Sequence, residues 1–404
     1  MARRVVIVGG GHAGGRVAQI LAQAGADLDI VLVGSESHPP YNRPPLSKGV
    51  LLGTSTLEDC LIWRQDDAAW DRVRFLPGVS ATALNRAEKI VAFDGADPVR
   101  YDTLVLATGS RVRRLTMPGA DSRGVYNLRR FDDATGIARQ FREGRRLLVV
   151  GGGFVGLEIA AAARMRGLDT VVVEASDRLL SRIAPQNVGE ALSDRHRAAG
   201  VSFRFGCMVE KFAATGSGAL KSALLSTGEV VPCDLAVAGV GVTAETQLAR
   251  AAGLEVEVGI RTDAALRTSD PAIFACGDCA SFWHPLFERH VRVEAWQNAE
   301  DHARVVAAGI LGRDAVCDTA PFFWSDQYEL SMQIVGLPHL GSSMVSKPVA
   351  DALILYHLDA RGRLVGATGL GRSETIGRPI RVARHAIAQR THPDPTELKA
   401  ALSA

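Results

Sequence analysis

The stretch VVIVGGGHAGG, Val5 to Gly15, constrains this chain more than any other, and its pattern returns 142 residues later. Val5, Val6, Ile7 and Val8 are apolar without alternation, as a central parallel strand covered on both faces must be. Gly9, Gly11 and Gly14 follow at once in the spacing of a dinucleotide fingerprint. The first glycine allows the tight turn, the second the close approach of a pyrophosphate, and the third the packing of helix on strand. A helix over His12 to Ala24, ended by Gly25, would present free N–H groups and its positive dipole end to the phosphates. Ile30 to Val33 read as the next strand, and Glu36 stands 22 residues after Gly14, where a carboxylate meets a ribose hydroxyl.

With 41 glycines in 404 residues, one such spacing arises by chance, so the second copy decides the matter. Leu147 to Val150 predict a strand, Gly151, Gly153 and Gly156 the turn, Leu157 to Arg166 the helix, and Val171 to Val173 a strand ending at Glu174. The separation is too long for a solenoid repeat and suits a duplicated α/β unit, so two dinucleotides are implied. Glu174 would accept a hydrogen bond from a ribose 2′-hydroxyl and repel a 2′-phosphate, which favours NADH; Arg178 and Arg182 leave NADPH open.

The length calls for two or three domains. A net charge of +2 gives no global field for nucleic acid or a membrane surface, and no apolar run is long enough to span a bilayer. No leading segment has a basic start followed by an apolar run. The six cysteines, at 60, 207, 233, 276, 279 and 317, are scattered without a small-domain framework; a reducing, cytoplasmic location is the expectation. Oligomeric state leaves no trace in the sequence.

Between the fingerprints, HPPYNRPPLSKGVLLG (residues 38–53) is held extended by prolines and brings Arg43 and Lys48 beside the expected phosphates. It is either a rigid solvated loop or the source of a cation that stabilises a reduced, anionic cofactor. Val79 to Leu84 is a candidate strand, and YDTLVLATGS (101–110) reads as a buried strand ending in small residues, for a bulky neighbour or a packing corner. Val188 to Ala199 predict a helix, Thr227 and Gly228 a hairpin, and Leu235 to Val242 a strand. TSDPAIFACGDCA (268–280) is another strand, which sets Asp278 at the mouth of a parallel sheet, a ligand-binding position. Cys276 and Cys279 are spaced CxxC, yet no second pair stands at zinc spacing; they read as buried thiols, and no metal site is expected. Beyond residue 318, Pro321 to Gly336, Ala352 to Leu358 and Leu364 to Leu370 are strand-like and Arg378 to Gln389 is a basic helix. Trp324 there serves either the core or a cofactor edge.

With YNRPPLSK (41–48), ATGS (107–110), GGGFVGLE (151–158), ACGD (275–278) and FWSDQY (323–328) in place, nearly the whole chain resembles the flavin-dependent ferredoxin reductases of oxygenase systems, the putidaredoxin reductase type. The resemblance implies an α/β fold of two Rossmann-like dinucleotide-binding domains, glutathione-reductase-like, plus a small α+β C-terminal domain. It implies FAD on residues 1–110 with 242–318, NADH on 111–241, and an interface domain over 319–404. Implied FAD contacts are Ala13, Glu36, Arg43, Lys48, Ala81, Arg129, Asp278 and Trp296, and implied NADH contacts are Gly153, Glu158, Glu174, Arg182 and Gly241. Lys48, Glu158 and Trp324 would act in electron transfer. Asn42 and Glu245 depart from the family pattern, which expects an aspartate and an asparagine.

The activity so implied passes electrons from NADH through FAD to a [2Fe–2S] ferredoxin that supplies an oxygenase. A disulfide reductase of the same fold would need a cysteine pair after Glu36, and residues 37–59 contain no cysteine. A flavoprotein sensor of the apoptosis-inducing-factor kind, or a reductase of another substrate, stands as the alternative. Two arginine clusters, Arg111, Arg113 and Arg114, and Arg378, Arg381 and Arg384 with His385, are either solvated faces or docking sites for an acidic ferredoxin.

Overall fold

The computed structural model describes residues 2–64, 66–349 and 351–390, so residues 391–404 of the expected C-terminal domain lie outside it. A five-stranded, all-parallel sheet runs in the order Ile273–Ala275, Thr103–Leu106, Arg3–Val8, Leu28–Gly34, Val73–Pro77. Val5 and Ile7 face one core cluster, built with the helices His12–Gln23 and Trp296–Ile310. Val6 and Val8 face another, closed by Leu84, Val91 and Phe93 of a three-stranded antiparallel sheet. Successive side chains of a strand point to opposite faces, so a strand covered twice must be apolar throughout. Burial of each such side chain is worth about 1.5–3 kcal/mol.

The second fingerprint builds the same object. Its parallel sheet runs Val201–Phe205, Asp169–Glu174, Arg146–Val150, Leu235–Ala238, Val125–Asn127. Leu147 and Val149 pack on the helix Phe154–Met165, while Leu148 and Val150 meet an antiparallel sheet through Phe212, Ala223 and Val231. The third body is a five-stranded antiparallel sheet, Phe322–Gln327, Leu330–Gly336, Leu364–Gly371, Ala352–Leu358, Ser343–Val349, with the helix Ser373–Ala388 laid on it. Two Rossmann-like α/β units and a smaller sheet-and-helix body are thus present, as expected.

The helices expected over Leu157–Arg166 and Arg378–Gln389 begin earlier, at Phe154 and Ser373, and four expected strands differ in extent. The strand placed over Tyr101–Ser110 stops at Leu106, because the corner Ala107–Gly109 wraps under Gly9; Ser110–Val112 then pairs antiparallel with Val242–Ala244. The strand placed over Leu235–Val242 breaks at Gly239 for the matching reason, its carbonyl lying under Gly151. Of residues 268–280 only Ile273–Ala275 and Ala280, where the strand Ala280–His284 begins, are strand, since Pro271 has no N–H and Gly277–Cys279 is a 3₁₀ turn. Pro321–Gly336 folds as a hairpin, reversing at Tyr328 with φ +58°. Trp296–Ile310 and Ser343–Val349 were not foreseen: both carry polar residues, such as Glu300, Asp301 and His302 in the helix, that break the apolar pattern.

Candidate active site between the two glycine turns

Gly9 has φ +122° and Gly151 φ +108°, conformations open to glycine, and a Cβ on either would stand 2.1 or 2.6 Å from the carbonyl oxygen of Ala107 or Gly239. At Gly14 and Gly156 a Cβ would stand 2.0 and 2.2 Å from the oxygens of Gly9 and Gly151, so these positions hold helix against strand and do not line the cavity. A Cβ at Gly11 would meet only Arg43 Nη2 at 3.7 Å, and at Gly153 only the Gly239 oxygen at 3.9 Å. The second glycine of each turn therefore faces open space. Both turns open onto one cavity of about 1850 Å³, where a site for a single small ligand spans roughly 300–1,000 Å³. These cradles fit two dinucleotides.

On the side of the first turn, Ala13 lines the cavity and Arg43 donates to Glu36 at 2.7 Å, to Tyr41 Oη at 3.1 Å and to the Arg129 carbonyl at 2.5 Å. Tyr41 itself donates to Glu36, and burial pushes its phenol well up, so it stays a donor. Arg129 reaches Asp278 at 3.4 Å, and Ser110 donates to Asp278 at 2.7 Å. Burial, with Arg43 nearby, lowers the Arg129 pKa. Alternating charges thus cross the floor of the cavity, each neutralised by a neighbour. Ala81 is not brought there; it packs on the core of the first sheet from the strand Ser80–Asn85.

On the side of the second turn, Glu174 accepts from the Gly152 and Ser176 amides, both at 2.7 Å, which fixes the carboxylate beside Gly153. Arg178 is spent on backbone, donating to the carbonyls of Ser181, Ala184 and Leu179 at 2.8, 3.0 and 3.3 Å. Arg182 and Gly241 line the same wall.

Where the halves meet, Lys48 Nζ lies 2.7 Å from Glu158 Oε1. The same carboxylate accepts from Ser325 at 2.5 Å and from Ser47, and it is buried. Opposite, Trp296 donates to Asn42 Oδ1 at 2.7 Å, which gives the unexpected asparagine a partner. The Trp296 and Trp324 rings meet edge-to-face at 5.7 Å, and Trp324 stacks on Phe322 at 6.0 Å. Glu245 takes an ion pair from Arg111 at 3.4 Å on the rim. Ser47, Ser110 and Ser325 were not singled out from the sequence; each sits beside a residue that was, and serines are too common for adjacency alone to mark them.

Cys276 and Cys279 are fully buried, and burial pushes both thiols up, the opposite of a reactive thiolate. Among the described residues no helix is long and apolar enough to cross a membrane.

Residues 3–303 match the family model described as pyridine nucleotide-disulphide oxidoreductase, and residues 322–402 one described as reductase C-terminal. The ferredoxin–NAD(+) reductase component of an anthranilate 1,2-dioxygenase system from Burkholderia cepacia is 40% identical, over 97% of this chain and 96% of its own. The putidaredoxin reductase of Pseudomonas putida is 39% identical over 82% of this chain and 80% of its own. Among solved structures, a covalent putidaredoxin reductase–putidaredoxin complex superposes with a TM-score of 0.93 at 33% identity, covering 100% of this chain and 99% of that one.

Proposed function

Because the chain belongs to the pyridine nucleotide-disulphide oxidoreductase family, among its ferredoxin–NAD(+) reductases, we propose that it oxidises NADH and passes the two electrons, one at a time, to a [2Fe–2S] ferredoxin serving an oxygenase. The carrying observation is the single cavity that both glycine turns share, with Lys48–Glu158 at its middle and Trp296–Trp324 on its wall. The overall change is NADH plus two oxidised ferredoxins to NAD⁺, a proton and two reduced ferredoxins. FAD, assigned to residues 1–110 with 242–318, supplies the conversion of a hydride into single electrons.

In this reading the chain binds, orients and shields. Gly11 and the start of the helix His12–Gln23 would receive the flavin pyrophosphate, Glu36 its ribose, and Arg43, Arg129 and Asp278 would line its site. Gly153, Glu174 and Arg182, within residues 111–241, hold NADH; Glu174 has charge and geometry for a 2′-hydroxyl, and the engagement of Arg178 leaves one arginine fewer for a 2′-phosphate. Lys48, its charge balanced by Glu158, would supply a cation to the flavin, while Trp324 would give an apolar edge for the outgoing electron. The body from residue 319 onward, with the arginines of Ser373–Ala388, supplies the ferredoxin face.

Stopped-flow mixing of the flavin-loaded protein with NADH and a [2Fe–2S] ferredoxin tests the whole. Cluster reduction within the turnover time is expected. A long-lived charge-transfer complex with no onward transfer would instead mark an NADH-responsive sensor.

A further inference from the structure

A line of buried side chains that the proposed function does not use ends on Glu158. Tyr328 Oη lies 3.4 Å from His196 Nδ1, His196 Nε2 lies 2.8 Å from Gln327 Oε1, Gln327 Nε2 donates to Ser325 Oγ at 3.1 Å, and Ser325 donates to Glu158 Oε1 at 2.5 Å. His196, Gln327, Ser325 and Glu158 are all buried, in an apolar setting that includes Leu157, Leu192, Met332 and Leu355. With the Gln327 oxygen facing the ring, it accepts from Nε2–H, and an uncharged imidazole then leaves Nδ1 to accept from the tyrosine hydroxyl. Burial pushes His196 down from its ordinary value, which favours that neutral ring.

Every donor in the line therefore points the same way, toward the carboxylate. Hydrogen bonds aligned head to tail polarise one another, and the last of them, to a charged acceptor, gains most. The line also joins three bodies, since His196 and Glu158 lie on helices of the second α/β unit, Ser325 and Gln327 on the first strand of the C-terminal sheet, and Lys48 in the proline-rich loop.

Resting on the function proposed above, we infer that Ser325, backed by Gln327 and His196, is a positioning residue: it holds the Glu158 carboxylate against Lys48 in the orientation that receives the pyridine nucleotide. A seryl hydroxyl from the C-terminal sheet thus shapes a pocket in another body.

The test is a double-mutant cycle read on NAD⁺ binding to the flavin-loaded protein, by titration of its flavin absorbance and by calorimetry. Ser325→Ala is expected to weaken NAD⁺ about tenfold, or ~1.4 kcal/mol. Gln327→Leu, one link further out, should weaken it about threefold, and Ser325→Thr, which keeps the hydroxyl, should restore binding to within about threefold of the parent. In a Glu158→Ala background, or Glu158→Gln if the alanine variant does not fold, Ser325→Ala should change NAD⁺ binding less than twofold. An equal loss in both backgrounds would mean that the substitution merely loosens the interface, and it would overturn the inference; so would undiminished binding in Ser325→Ala. Failure of the parent protein to bind NAD⁺ or reduce ferredoxin would overturn the underlying function instead, whatever Ser325 does.

Discussion

Glu174 shows how much a single side chain decides. It is held by two amide hydrogen bonds, so its negative charge sits at a fixed place on the rim of the second turn. A 2′-phosphate brought there meets an anion it cannot displace, while a hydroxyl finds an acceptor. Glu174→Gln keeps one acceptor and removes the charge, so the ratio of kcat/KM for NADH to that for NADPH should fall by about an order of magnitude, chiefly through a lower KM for NADPH. Steady-state rates with the two coenzymes check this, and an unchanged ratio would move the discrimination to another residue. Arg182 is the natural second substitution, since it faces the cavity and Arg178 is occupied by carbonyls.

Among the elements, the helix Ser373–Ala388 carries the most distinct division of labour. Ile376, Ile380, Ala383 and Ile387 recur at helical spacing and are buried against the C-terminal sheet. Arg378 and Arg381 stand exposed on the other side, and Arg384 reaches over the ring of Phe322 at 5.9 Å, whose own ring stacks on Trp324. The cationic face thus sits two rings from the cavity wall, a short path for an electron. If an acidic ferredoxin docks there, Arg381→Glu with Arg384→Glu should slow association about tenfold at low ionic strength and far less at 0.5 M salt, where charges a few ångströms apart are screened (Debye length roughly 3–10 Å). Flavin reduction by NADH should be untouched. Association rates that ignore the substitutions at low salt would remove this helix from the interface.

At the scale of the whole molecule, three histidines spread over the fold, together with His196 and His339, contribute to its response to acid. Burial pushes His284 and His357 down to about 4 and His302 to about 3. His302 accepts from the Gly277 amide at 3.1 Å, His284 meets the Thr319 carbonyl at 3.1 Å, and His357 pairs with Thr368 at 3.2 Å. An unfolded chain protonates these rings near pH 6.5. Below that pH the unfolded state binds protons that the folded state refuses, so stability is complete above about 6.5 and falls as pH drops toward 4. The slope is about 1.4 kcal/mol per pH unit for each ring. Denaturant unfolding of the flavin-loaded protein at pH 7.5, 6.0 and 5.0 should show this loss, and His302→Gln should reduce the slope. A flat profile between pH 7.5 and 5.0 would contradict the neutral, buried state of the three rings.

What the sequence determined by itself is the part governed by local chemistry. Gly9, Gly11 and Gly14, repeated as Gly151, Gly153 and Gly156, are dictated by contacts within one strand–turn–helix, so their spacing alone specified two nucleotide cradles and the acids Glu36 and Glu174 beyond them. The unbroken apolar runs likewise announced strands buried on both faces. What only the tertiary structure decided is how distant segments meet. Lys48 and Ser325 come from two other bodies and converge on the Glu158 carboxylate, the helix Trp296–Ile310 hides its polar residues against His12, Gly277 and Thr319, and Ala81 turns to the core instead of the cavity. No period or motif records such meetings, because side-chain hydrogen bonds between remote segments depend on the packing of whole layers, and a serine carries no sign in its neighbours of what it will face.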